Sequence, residues 1–207
     1  MTPLQALDFA AVFVFALTGA LTASRAQLDI IGFFFLASLT GIGGGTVRDL
    51  LLDRHPIFWL AEPRYLAVAG VAAGAVFVLA HRLESRRRAL EWLDAVALAV
   101  AVPAGVAAAR SVGADWPVVL VMGVTTGCVG GLMRDVVANE LPLVLRHGEL
   151  YATAALVGAA ASVPALVLTG SPVASLAACA VATLALRVGS MVFGWRLPVY
   201  KSRPPRR

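Results

Sequence analysis

Thr40-Gly41-Ile42-Gly43-Gly44-Gly45-Thr46-Val47-Arg48-Asp49 is the most informative stretch of this chain. It returns as Thr126-Gly127-Cys128-Val129-Gly130-Gly131-Leu132-Met133-Arg134-Asp135, 126 − 40 = 86 residues later, with six of ten positions identical. Each copy lies inside a long apolar run. Glycine costs about 1 kcal/mol relative to alanine inside a helix. Two glycine clusters at one spacing therefore point to a purpose shared by two related halves.

The same offset pairs Asp8 with Asp94, Gly19 with Gly105, Pro56 with Pro142 and Tyr65 with Tyr151. Chance matches in this composition would be mostly Ala, Val and Leu, and these are not. The chain accordingly divides into a first three-helix repeat over 1–86, a second over 87–171, a seventh helix over 172–195 and a basic tail over 196–207.

Of the 207 residues, 59% are hydrophobic and 14% charged, and the mean hydropathy is +0.83. Soluble domains carry about 25% charged residues. The expected class is an all-α membrane protein. Apolar runs near 7–23, 29–52, 64–81, 90–109, 115–138, 150–168 and 172–193 each have the roughly 17–25 residues that cross a bilayer. Three spans per repeat reverse the chain's direction, so the second repeat enters from the opposite side as an inverted repeat. The first span carries Asp8 instead of a basic n-region and matches an internal segment, so it reads as a retained helix and not a signal peptide.

Of the 17 basic residues, eleven fall on one side: Arg25, Arg82, Arg86, Arg87, Arg88, Arg146, Arg196, Lys201, Arg203, Arg206 and Arg207. Arg54, Arg64 and Arg110 fall on the other, and Arg48, Arg134 and Arg187 lie within spans. By the positive-inside rule the N-terminus is outside and the C-terminus cytoplasmic, in a cell inner membrane. The tail then meets anionic lipid headgroups. A net charge of +5 spread over loops and tail does not suggest a nucleic-acid partner. Cys128 and Cys179 sit in apolar runs without metal-ligand spacing, and His55, His81 and His147 do not cluster. No nucleophile–base pair, P-loop or complete dinucleotide fingerprint appears, so neither enzyme chemistry nor a cofactor is expected.

The candidate pathway residues are Thr40, Gly41, Gly43, Gly44, Gly45, Arg48 and Asp49, with Thr126, Gly127, Gly130, Gly131, Arg134 and Asp135. Glycines at i, i+4 permit close helix packing. The competing expectation is a kink in the second and fifth helices that frees carbonyls toward a polar cavity, where they replace part of a cation's hydration shell. Gly44 lies 44 − 29 = 15 residues after Asp29, and Gly130 lies 130 − 115 = 15 after Asp115. That is about 22 Å of helix, past the middle of a roughly 30 Å core. Neighbouring helix positions do not face each other, so cross-repeat pairs are expected: Arg48 with Asp135 and Arg134 with Asp49. Arg187 is expected to meet a carboxylate or helix carbonyls. Tyr65, Tyr151 and Arg187 are candidate gating residues, although tyrosines at span ends by default anchor at the interface. Asp8 and Asp94, near span starts, are explained by helix-dipole compensation.

Two Gly-Gly-x-x-Arg-Asp strings in the second and fifth of seven spans resemble the prokaryotic TRIC (trimeric intracellular cation) channel family. The resemblance covers essentially the whole chain. It implies a homotrimer with a pore in each subunit. It also implies passage of monovalent cations, chiefly K+, along kinked second and fifth helices, with the N-terminus outside. Val129 and Leu132 depart from the pattern of Gly43 and Thr46, which predicts a weaker kink or a smaller pore contribution in the second half. Two other classes remain open: a glycine transporter using the same site, and a membrane scaffold whose glycines serve packing alone.

Overall fold

A computed structural model describes residues 2–82, 86–146 and 148–198, the side chain of Arg86 excepted. Among the described residues eight α-helices follow in order: α1 (Pro3–Arg25), α2 (Ile30–Leu51), the one-turn α3 (Phe58–Ala61), α4 (Arg64–Leu79), α5 (Arg86–Ser111), α6 (Trp116–Val137), α7 (Ala152–Thr169) and α8 (Pro172–Phe193). All except α3 are long and apolar enough to cross a membrane, α4 together with the turn Ala80–Arg82 that continues it. The ends are set locally. Thr2 and Gln5 form a capping box on α1, Asp29 caps α2, and Ser171 with Pro172 starts α8. Ile31, Val71 and Leu168 are exposed on the outer surface, which suits contact with lipid chains.

The two repeats are α1, α2, α4 and α5, α6, α7. Within them α1 packs on α2 and α4, while α5 packs on α6 and α7; α1 meets α5, and α2 meets α6, across the repeat boundary. α8 lies against α7 and α5 and has no counterpart in the first repeat. The face carrying the start of α1 is the first face, and the face carrying the end of α8 is the second.

Both glycine-rich helices are continuous through their glycines. The glycines also serve close packing. A Cβ added at Gly44 would overlap the Thr126 carbonyl oxygen, and one added at Gly130 would lie 2.5 Å from the Thr40 carbonyl oxygen. The reciprocity is the inverted two-fold seen at atomic scale: each glycine receives the other helix's threonine carbonyl. In lipid there is no hydrophobic force between helices, so such backbone approach supplies the attraction. Gly41 seats Val12 of α1, and Gly127 seats Leu98 and Val102 of α5.

Candidate functional site

Arg48 is fully buried. Its Nη1 donates to Asp8 Oδ1 at 2.7 Å and its Nη2 to Asp8 Oδ2 at 3.3 Å, so both carboxylate oxygens are held. Its Nε donates to Asp49 Oδ1 at 2.8 Å. Asp49 then anchors the following loop, accepting from Arg54 Nη1 at 2.9 Å and from the Phe58 backbone N–H at 2.9 Å. The second repeat repeats the plan. Arg134 Nη1 donates to Asp94 Oδ1 at 2.9 Å, Arg134 Nε donates to Asp135 Oδ1 at 2.8 Å, and Asp135 Oδ2 accepts from Leu143 N–H at 2.9 Å.

Three expectations are corrected here. The cross-repeat ion pairs Arg48–Asp135 and Arg134–Asp49 do not form; each arginine's ion pairs lie within its own repeat, because the two Arg-Asp strings sit near opposite faces. Adjacent Arg and Asp do pair. Their helix positions diverge, but the arginine chain is long enough to lay Nε against a carboxylate turned toward the loop. Asp8 and Asp94 are buried partners, at 6% and 0% exposure, and not surface dipole compensation. A buried guanidinium must be paired, and the offset-matched Asp8 and Asp94 were the available signal.

At the first face a cavity of about 540 Å³ reaches in to Asp8, Asp49 and Tyr65, with Asp53, Arg54 and Glu62 at its walls. Arg64, hydrogen-bonded to Glu62, holds that carboxyl below its usual range. Asp8 and Phe58 also line a narrow pocket deeper in, bounded by Val12, Phe15, Thr40, Gly41, Gly44, Gly45 and Thr126. Its volume is about 10 Å³, room for one water at most. Thr40 Oγ1 donates to the Leu36 carbonyl at 2.6 Å, and Thr126 Oγ1 to Met122 at 2.7 Å.

The second face is closed differently. Arg187 of α8, 1% exposed, donates to Glu149 Oε2 at 2.9 Å and stacks 5.1 Å from the Tyr151 ring. This is the carboxylate partner expected for it. A cavity of about 260 Å³ there is lined by Arg88, Glu91, Glu149, Arg187 and Arg196, among others, and does not reach Asp94 or Arg134. Tyr65 and Tyr151 are both buried and so are not interfacial anchors; Tyr65 stacks on Phe9 with centroids 3.9 Å apart. Gly43 faces Met133 and Gly130, Gly45 faces the Phe58 ring, and Gly131 faces Tyr151, Asp94 and Arg134. His147 and the tail from 199 onward lie outside the described residues.

The Glycine transporter family model matches residues 5–81 and again 91–166, two matches beginning 91 − 5 = 86 residues apart. The chain is 41% identical to the TRIC trimeric intracellular cation channel orthologue of Rhodobacter sphaeroides, with a TM-score of 0.90 over 94% of this chain and 100% of that one. The chain belongs to the TRIC channel family. A prokaryotic TRIC channel solved in 0.5 M KCl is 29% identical, with a TM-score of 0.86 over 92% of this chain and 96% of that chain. The UPF0126 inner membrane protein YadS of Escherichia coli K12 is 37% identical over 94% of both chains. A UPF0126 membrane protein of Vibrio cholerae is also 37% identical, over 95% of this chain and 82% of its own. This TRIC-family chain is a multi-pass membrane protein whose relatives are channels and membrane proteins, not enzymes.

Proposed function

We propose that the chain is a cation channel that conducts K+ through each subunit, along α2 and α6 from the first-face cavity to the second face. The observation that carries the reading is the alignment of a wide cavity, lined by Asp8 and Asp49, with a narrow pocket at the glycine crossing of α2 and α6. Asp8, Asp49, Asp53 and Glu62 face Arg54 in the cavity wall, with Arg48 behind Asp8 and Asp49 and Arg64 on Glu62, a small acidic excess that favours cations. Beyond it, Thr40 and Thr126 stand at the narrowest point. Their bonds to carbonyls four residues back favour bending of a helix, and the adjacent glycines lower the resistance to it. A bend there would separate α2 from α6 and turn backbone oxygens toward the ion.

The positive-inside count places the first face outside and the second face in the cytoplasm. In this reading three subunits assemble with lipid around them, supported by the word trimeric in the name of the Rhodobacter sphaeroides relative. The name of the matched family model favours a second reading, glycine transport through the same cavity. Purified protein in planar bilayers under a KCl gradient separates the two. Unitary currents that reverse near the K+ equilibrium potential are expected. Saturable glycine exchange without unitary currents would replace the channel reading by the transporter, and neither activity in folded protein would leave a scaffold.

A further inference from the structure

The second buried ion pair has a hydroxyl partner that the first lacks. Arg134 Nη1 donates not only to Asp94 Oδ1 but also to Thr18 Oγ1 of α1, at 2.7 Å. Thr18 is fully buried, and its own hydroxyl proton goes to the Phe15 carbonyl at 2.8 Å. At the offset of 86 the counterpart of Thr18 is Ala104, which has no side-chain oxygen to offer Arg48. Arg48 accordingly grips both oxygens of Asp8. Arg134 grips one, and Arg134 Nη2 and Asp94 Oδ2 make no hydrogen bond, buried beside the Tyr151 hydroxyl.

This asymmetry falls where the pathway is shut. The first-face cavity reaches Asp8, and the narrow pocket ends at Thr126. Between Thr126 and the second face lie Arg134 and Asp94, both fully buried. An ion leaving by that face must pass a pair that has to move.

We propose that Thr18 is a positioning residue for conduction: by drawing Arg134 into a one-oxygen grip on Asp94, it keeps the second-face pair easier to open than the first. The proposal rests on the channel reading. Without the hydroxyl acceptor, Arg134 turns its second amino group onto Asp94 Oδ2, as Arg48 does on Asp8, and the closed state is favoured. Thr18 also links Arg134 to Phe15, a wall of the narrow pocket, so movement of the pair is felt at the constriction.

The test is single-channel recording of the full chain in KCl with Thr18→Val, Thr18→Ala and Thr18→Ser. Valine keeps the volume and removes the acceptor; serine keeps the acceptor. Open probability should fall about five-fold in the valine and alanine variants, the scale of one exchanged hydrogen bond, and stay near wild type with serine. Unitary conductance and reversal potential should not change. Wild-type open probability in the valine and alanine variants, or an equal fall with serine, overturns the proposal and leaves the channel reading standing. A lowered unfolding temperature with unchanged open probability also overturns it, because that is the mark of a purely structural bond. Absence of unitary currents from the wild type overturns the channel reading, and this proposal with it.

Discussion

The ion pair near the first face grips through two oxygens and looks into a cavity of about 540 Å³. The pair near the second face grips through one oxygen, borrows Thr18 from the other repeat, and is covered by protein. The repeats share a sequence plan, yet α8 and one hydroxyl give them different surroundings. An internal repeat thus fixes which residues pair, and the unrepeated parts decide which pair meets water.

The largest expected effect breaks that comparison directly. Removing one partner of a buried ion pair costs about 3–5 kcal/mol. Asp94→Asn should therefore sharply lower the unfolding temperature in detergent. Asp8→Asn should cost less, because the cavity that opens at Asp8 gives solvent a route to what is left of Arg48's charge. Equal losses would mean that the two sites are equivalent despite their surroundings.

Next come the glycines of the crossing. Gly44→Ala and Gly130→Ala each drive a methyl into a carbonyl of the other helix, and overpacking of this kind costs about 1–3 kcal/mol. The two should lose similar stability, since the contacts are reciprocal. Gly43→Val should be milder, because its nearest neighbour is the flexible end of Met133. Thermal unfolding of the three variants checks the order.

The smallest effect concerns a bond found in one half only. Trp59 Nε1 donates to Thr46 Oγ1 at 2.9 Å, and Leu132 stands where a counterpart of Thr46 would be. Thr46→Val should cost about 1 kcal/mol and loosen the α3 segment, which limited proteolysis would report.

Much of this was legible in the sequence. The offset of 86 exposed the repeat, and the strings ending at Asp49 and Asp135 marked the helices that cross at the centre. The departure at Leu132 marked the place where the first half has a Trp59–Thr46 bond and the second has none. What escaped was partner choice. Arg48 and Arg134 were plainly in need of carboxylates, but a rule about adjacent helix positions steered them away from Asp49 and Asp135. Asp8 and Asp94 looked like ordinary helix-start acids. Their burial depends on how α1 and α5 pack, which local sequence does not encode. The glycines were harder still. A run of glycine in a helix reads equally as a hinge or as a contact, and only the position of the opposite helix's carbonyls shows the contact. Thr18 gave no signal at all, because its importance lies in the absence of a hydroxyl at Ala104.

The central claim is that ions pass the α2–α6 crossing beside Val12 and Thr126. Its most direct test is cysteine modification during single-channel recording. With Cys128 and Cys179 replaced by alanine, Val12→Cys places a thiol on the narrow pocket, and Val71→Cys places one on the exposed outer surface. A cationic thiol reagent should sharply reduce the unitary K+ current of the Val12→Cys channel and leave that of Val71→Cys unchanged. Undiminished current from fully modified Val12→Cys channels would contradict the account.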